Sequence, residues 1–307
     1  VLEWQQEKTG KNAAMELKNE KKQEWFKWAA LGLICANLFV WLVLAESGRQ
    51  KFTEVRFFDV GQGDAAFVQT ARGTQIIIDG GPGNSVLEKL GRAMPFYDRQ
   101  IDWMILSHPD SDHLSGLLAV LENYRVDNIV WSGIGKDSDE CRQWEAMIAR
   151  EGARIFEVSA PDRFSLDAGD VVVEILLPES ESAGAKESSN NLSVAARIIH
   201  KNRAFLFAGD IDAKKEALLF GANPDLRADV LKIAHHGSKY SANEEFTAGL
   251  ATAAAVISCG KDNRHGHPHS ETLDLLEKYD IKTLRTDDDG NIVFRTDGER
   301  VFVRTQK

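Results

Sequence analysis

Residues 107 to 113, Ser-His-Pro-Asp-Ser-Asp-His, put four metal-ligand types, His108, Asp110, Asp112 and His113, within six positions. Their imidazoles and carboxylates would share one small volume, and gathering ionised carboxylates there is costly unless a cation offsets them. A mixed His/Asp donor set suits Zn²⁺ or Mn²⁺. A single Asp or His at a strand end is ordinarily a cap or a solvated loop residue, whereas four at this spacing point to chemistry. Asp112 can also cap the helix that follows, since Asp is favoured there.

Further donors recur at the ends of apolar runs. Asp210 follows Gly209 after the run 204–207, and His235-His236-Gly237-Ser238 follows the run 229–234. Adjacent histidines point in different directions, so one can bind an ion while the other faces substrate. His267 lies in a Gly/Pro loop, Gly266-His267-Pro268-His269, and is expected on the substrate side or in acid/base work. Nearer the N-terminus, Asp59-Val60-Gly61-Gln62-Gly63-Asp64 is a glycine-rich turn lacking the lysine and spacing of a phosphate-binding loop. Asp59, Gln62, Asp64, Asp79 (before Gly80-Gly81), Asn191, Ser193 and Ser238 are expected around the centre or against substrate.

These groups need a scaffold, and the hydrophobic pattern supplies one. Strands are predicted at 54–58, 65–70, 75–78, 101–106, 128–131, 171–177, 193–200, 204–207, 229–234, 253–258, 292–295 and 300–303. Helices are predicted at 84–97, 114–124, 139–150, 213–220, 243–250 and 271–279, and residues 179–189 read as a polar loop. Strands and helices mixed along the whole length predict a layered α/β architecture.

Composition is ordinary for a globular protein, with 43% hydrophobic and 27% charged residues in 307. A net charge of −10 leaves no broad basic footprint for duplex nucleic acid. Three cysteines are too few for a disulfide scaffold, and Cys141 and Cys259 are expected to be free, buried thiols.

Residues 26–45 are apolar apart from Lys27 and Asn37, near the ~20 residues a membrane-spanning helix needs. Trp25, Trp28 and Trp41 sit near its ends, where interfacial aromatics are favoured. Lys18, Lys21, Lys22 and Lys27 precede or open it, against Arg49 and Lys51 after it, which places the N-terminus in the cytoplasm and the remainder outside. The expected organisation is a charged flank at 1–25, a signal anchor at 26–45, a linker at 46–53 and a catalytic domain at 54–307. Met15 is the expected start. A cleaved signal peptide is the rival reading and would make the domain secreted.

In this order, the clusters at 59–64, 79–81, 108–116, 190–193, 209–210, 235–238 and 266–269 resemble the metallo-β-lactamase superfamily, and within it the ComEC competence-protein branch. The resemblance covers about residues 54–304 and implies an αββα four-layer sandwich. It implies that His108 and Asp110 hold one metal, Asp112 and His113 a second, that Asp210 bridges and that His236 completes the set. His235 is left for substrate, and Asp79 is an orienter behind the ligands. Asp110 replaces the second histidine of the superfamily pattern, and Asn191 or Ser193 stands near the place of a missing third histidine. One site is therefore oxygen-rich, which turns the expectation there toward Mn²⁺ and allows one or two ions. One apolar segment cannot form a transport pore, so a free-standing tethered domain is expected.

The function expected is metal-dependent hydrolysis of a phosphodiester, such as single-stranded DNA, by an activated water, with Asp112, His235 and His267 as catalytic groups. The alternatives are a hydrolase of a phosphocholine-type diester or a lactone, and a non-catalytic metal-binding module. No obligate protein partner is implied.

Overall fold

A computed structural model describes residues 21–22, 24–42, 52–158, 163–176 and 188–307. The chain divides into two compact units, Val1–Gln50 and Lys51–Lys307. In the first, helix α1 (Glu24–Leu42) has 19 residues, a mean hydropathy of 1.5 and no buried side chains, so it is long and apolar enough to cross a membrane. The flank before residue 21 and residues 43–51, which hold most of the expected linker, lie outside the described residues.

In the second unit the strands run β1 (Thr53–Phe57), β2 (Ala65–Gln69), β3 (Gln75–Gly80), β4 (Gln100–Ile105), β5 (Arg125–Trp131), β6 (Arg154–Glu157), β7 (Arg163–Asp167) and β8 (Val172–Leu176). They continue as β9 (Ala195–His200), β10 (Arg203–Phe207), β11 (Val230–Lys232), β12 (Ala254–Ile257), β13 (Lys282–Arg285), β14 (Asn291–Thr296) and β15 (Val301–Gln306). Helices α2 (Ser85–Ala93), α3 (Ser111–Asn123), α4 (Asp139–Glu151), α5 (Ala213–Ala222), α6 (Glu244–Gly249), α7 (Ser270–Lys278) and the short α8 (Thr286–Asp289) fall between them.

Two sheets result, ordered β15-β14-β1-β2-β3-β4-β5-β6 and β13-β12-β11-β10-β9-β8-β7. Side-chain alternation explains why they stack, because successive residues point to opposite faces. Val55, Phe57, Ile76, Ile78 and Ile105 from the first sheet meet Ile175, Phe205, Phe207, Val230 and Val256 from the second in one inner core. The intervening positions Phe67, Ile77, Ile101 and Met104 face outward and pack with Leu90 of α2, Leu114 and Leu117 of α3 and Trp144 of α4. On the far side Leu206, Leu231 and Ala255 pack with Leu219 of α5, Phe246 of α6 and Leu276 of α7. Helix, sheet, sheet, helix is the four-layer sandwich expected. Cys141 and Cys259 are free and buried, as expected.

Several boundaries differ from the pattern-based reading. Helix α3 begins at Ser111 rather than 114, which puts Asp112 and His113 in its first turn. Helix α2 stops at Ala93, because Pro95 forces Met94 into an extended conformation. Strands β6, β7 and β13 and helix α8 were not anticipated; they are four or five residues long and lack a clear apolar period. Residues 179–187 of the expected polar loop lie outside the described residues.

Candidate metal centre

Strands β3, β4, β5 and β6 are parallel neighbours in one sheet, and β10, β11, β12 and β13 in the other. Loops at the carboxyl ends of parallel strands are where α/β folds collect functional groups. Here those ends carry Asp79 near the end of β3, residues 107–113 after β4, Asp210 after β10, His235 and His236 after β11, and Ser258 after β12.

Glycines let the layers close on this point. A Cβ on Gly116 of α3 would lie 1.9 Å from the Gly80 carbonyl oxygen, so α3 sits directly on the end of β3. Gly209 (φ +58) makes the turn that presents Asp210, and a Cβ there would lie 2.7 Å from the Ser193 side chain. His235 (φ 50) and His236 (φ 55) both hold left-handed backbone without being glycine, a strained state that persists only where its surroundings enforce it.

Among the described residues, four overlapping groups offer converging ligand atoms: His108, His113 and Asp210; Asp112, His113 and His236; Asp64, Asp210 and His236; Asp64, Asp79 and His113. His113 Nε2 lies 3.4 Å and His236 Nε2 3.5 Å from Asp210 Oδ2. His236 Nε2 is 3.3 Å from Asp112 Oδ2. Each ring is held from behind. His113 Nδ1 donates to Asp79 Oδ2 (2.9 Å), His236 Nδ1 to the Ser258 carbonyl (2.9 Å), and His108 Nδ1 lies 3.0 Å from Ser107 Oγ. Asp79 is fixed in turn by the backbone N–H and hydroxyl of Ser107.

With each Nδ1 occupied, the Nε2 atoms are turned toward the centre. The Nε2 atoms of His108, His113 and His236 are buried and have no hydrogen-bond partner. A buried polar atom left unsatisfied costs ~1–3 kcal/mol, so three together call for a shared ligand. Three imidazole nitrogens beside the Asp210 and Asp112 carboxylates fit a divalent ion of the Zn²⁺ or Mn²⁺ kind.

Electrostatics agree. Burial alone pulls His113 and His236 downward, but facing carboxylates, Asp210 foremost, hold His113 well above its ordinary value and His236 up at about 10. Burial would raise Asp210, yet His236 and His113 hold it well below the carboxylate range. The cluster thus balances its acids with protons on imidazole, the charge an ion would replace. His108 goes the other way, to about 4, through burial and the neighbouring His113.

The centre floors an open cavity of about 560 Å³, lined among others by Gln62, Asp112, Asp210, His235, His236 and His267. Burial lowers His235 and takes His267 to about 4, where neighbouring histidines add to the effect, so both rings are neutral near pH 7.

The remaining expected residues fall into distinct places. Asp110 lines the cavity but belongs to none of the converging groups; its Oδ1 accepts from Lys136 Nζ (3.0 Å) and Ser189 Oγ (2.7 Å). Asp64 is buried behind the rings, 3.2 Å from His236 Nδ1 and ion-paired with Lys232. Ser193 Oγ accepts from the Asp210 backbone N–H, so it positions that carboxylate. Gln62 braces the opposite wall, accepting from the Gly260 N–H. Asn191 is engaged with Asp212, Ser238 closes the turn after His236, and Asp59 caps its own loop through the Gly61 N–H, all three away from the cavity lining.

Among the cavity-lining residues sequence reasoning missed Lys136, and it missed Lys232 beneath the cavity. Lys232 had a legible signal: it is the lone charge in the apolar run Val230 to Ala234. Lys136 had only its position after a parallel strand.

A family model for the metallo-beta-lactamase superfamily matches residues 58–261. The chain is 33% identical over 286 residues to ComE operon protein 3 of Bacillus subtilis (strain 168), covering 86% of this chain and 35% of that protein. It is 31% identical over 245 residues to competence protein ComA of Neisseria gonorrhoeae, covering 78% and 32% respectively. It therefore spans about a third of the length of these curated relatives. Among solved structures, the CmlA β-hydroxylase superposes with a TM-score of 0.52 at 16% identity, over 80% of this chain and 54% of that one, a likeness of fold.

Proposed function

The chain belongs to the metallo-β-lactamase superfamily, with competence-protein homologues, and from that premise we propose that it is a metal-dependent phosphodiesterase acting on single-stranded DNA or a related diester. The observation that carries the reading is the convergence of three buried, unpartnered Nε2 atoms beside Asp210 at the floor of an open polar cavity.

His108, His113, His236, Asp210 and Asp112 would hold one or two ions of Zn²⁺ or Mn²⁺. A bound divalent ion supplies an activated water near neutral pH and offsets charge building on a phosphoryl group. The protein's own groups do the rest. Asp79 and the Ser258 carbonyl hold His113 and His236 in the tautomer that leaves Nε2 free. Asp112 is partly exposed to the cavity and ionised, since His236 and His113 outweigh the effect of its burial, so it can orient a water and take its proton. His235 and His267, neutral at the cavity wall, can each donate an N–H to a phosphoryl oxygen.

We place the catalytic unit outside the cytoplasm and α1 in the membrane. The length and apolarity of α1 and the lysines on its N-terminal side support this.

The test is metal content together with hydrolysis of bis-p-nitrophenyl phosphate and single-stranded DNA by the full chain in detergent, beside the D112A/H113A double variant. Metal-dependent turnover that the variant loses is expected. Bound metal without turnover on either substrate overturns the phosphodiesterase reading, and absence of bound metal overturns the centre itself.

A further inference from the structure

Among the described residues that line the cavity, Lys136 and Arg264 carry permanent positive charge. They come from loops of different sheets, Lys136 between β5 and α4 and Arg264 between β12 and α7. In a chain of net charge −10, two cations facing one cavity need a reason.

Lys136 is not a freely waving surface lysine. Its ammonium lies 3.0 Å from Asp110 Oδ1, and that oxygen also accepts from Ser189 Oγ at 2.7 Å. Asp110 is two residues from His108 and directly precedes α3, so it is anchored beside the centre. Among the described residues it belongs to none of the converging donor groups, and its Oδ1 accepts from Lys136 and Ser189. An ammonium has three donors, and Asp110 engages one. Holding the long side chain in place removes much of the rotamer entropy that binding would otherwise cost. A compact ammonium suits a phosphate oxygen as a point charge.

We infer that Lys136 binds a non-bridging phosphate oxygen of a phosphodiester chain, that Asp110 is the positioning residue holding its ammonium at the cavity rim, and that Arg264 takes a neighbouring phosphate from the opposite wall. The inference rests on the phosphodiesterase reading above and adds to it the use of more than one phosphate of the substrate.

The test uses the full chain in detergent with fluorescein-labelled oligothymidylate, in chelator so that no strand is cut. Affinity is read by fluorescence anisotropy across a salt series for wild type, K136M, K136R, R264M, D110N and the K136M/D110N pair. K136M and R264M are each expected to weaken binding several-fold and to reduce the slope of log affinity against log salt by ~0.7, the share of one single-strand phosphate contact. K136R should restore the slope. D110N adds net positive charge, so charge alone would strengthen binding; a tether predicts weaker binding instead. In the pair, D110N should add nothing to K136M. Metal content of D110N, measured without chelator, should match wild type.

An unchanged affinity and slope in K136M overturns the assignment. Loss of metal in D110N but not in K136M makes Asp110 a ligand and overturns the tether. Wild type that cleaves bis-p-nitrophenyl phosphate yet does not bind the oligonucleotide overturns the inference alone. Wild type that does neither overturns the phosphodiesterase reading with it.

Discussion

Asp79 Oδ2 and His113 Nδ1 meet at 2.9 Å with both side chains buried, and this contact turns His113 Nε2 toward Asp210. Asp79 itself holds left-handed backbone (φ 56) at the end of β3, a conformation that Asp and Asn tolerate better than other non-glycine residues.

Asp79→Asn should therefore keep the backbone and the Ser107 N–H bond while losing the charged partner of His113. The expected result is ~10–100-fold weaker metal affinity, the usual effect of removing such a partner. Competition with a chromogenic chelator measures it; affinity equal to wild type would show that the contact does not orient the ligand.

Metal affinity should rise with pH. Without an ion, His113 and His236 keep protons above the ordinary histidine value, His236 up to about 10, because Asp210 and the other carboxylates overcome burial. A raised folded-state value gives stability that is full below about 6.5 and is lost as pH rises through the folded value. The metal-free protein should therefore melt at progressively lower temperature from pH 6.5 to 10, and ion binding should release protons. Thermal melts over that range and calorimetric titration in buffers of different ionisation enthalpy check both; a flat melting temperature with no proton release contradicts the assignment.

The positions of the candidate ligands were legible because sequence places them after apolar runs, and a run followed by His or Asp marks a strand end whichever sheet it joins. His108, Asp112, His113, Asp210 and His236 stand out in this way, and the structure distributes them over overlapping groups that share His113, Asp210 or His236. What sequence could not carry is direction. Asp110 has the same spacing as its neighbours, yet its side chain turns to Lys136. Asn191 faces Asp212, while Asn190 beside it lines the cavity. Short strands such as β6 were missed because their place is decided by pairing to a neighbour rather than by local pattern.

Gly116→Ala should separate α3 from β3, since the added methyl would fall 1.9 Å from the Gly80 carbonyl oxygen. Overpacking of this kind costs ~1–3 kcal/mol, and the shift would carry Asp112 and His113 with it. Gly91→Ala on α2 is the control, since its Cβ meets nothing within 4 Å and a helical Gly→Ala change gains ~0.5–1 kcal/mol. Urea denaturation of both variants measures the contrast; equal stabilities would refute the close approach.

Lys232 and Asp64 form a buried ion pair under the centre, and Lys232 Nζ also donates to the Ile233 carbonyl at 2.9 Å. Lys232→Met takes the ammonium from the buried Asp64 carboxylate and leaves it the His236 ring at 3.2 Å, and breaking one side of such a pair costs up to ~3–5 kcal/mol. The D64N/K232M double variant removes both charges and should recover a large part of that loss. Denaturant unfolding of the four proteins gives the cycle; strictly additive effects would mean that the two groups do not act as a pair.

Glu216 of α5 is buried and accepts the Asn243 N–H, and its burial, with Asp212 adding, pushes its carboxyl up to about 8. In the unfolded chain a glutamate ionises near 4.5. Below that value both states hold the proton and Glu216 has no effect on the pH dependence. From there to about 8 the unfolded state releases the proton and the folded state keeps it, so stability falls as pH rises and levels off beyond. Glu216→Gln keeps the shape and the acceptor but cannot ionise. It should match wild type near pH 4.5 and become progressively more stable than wild type toward pH 8. Thermal or urea unfolding of both proteins at pH 5, 6.5 and 8.5 measures this, and a stability difference that does not change with pH would show that Glu216 ionises normally in the folded protein.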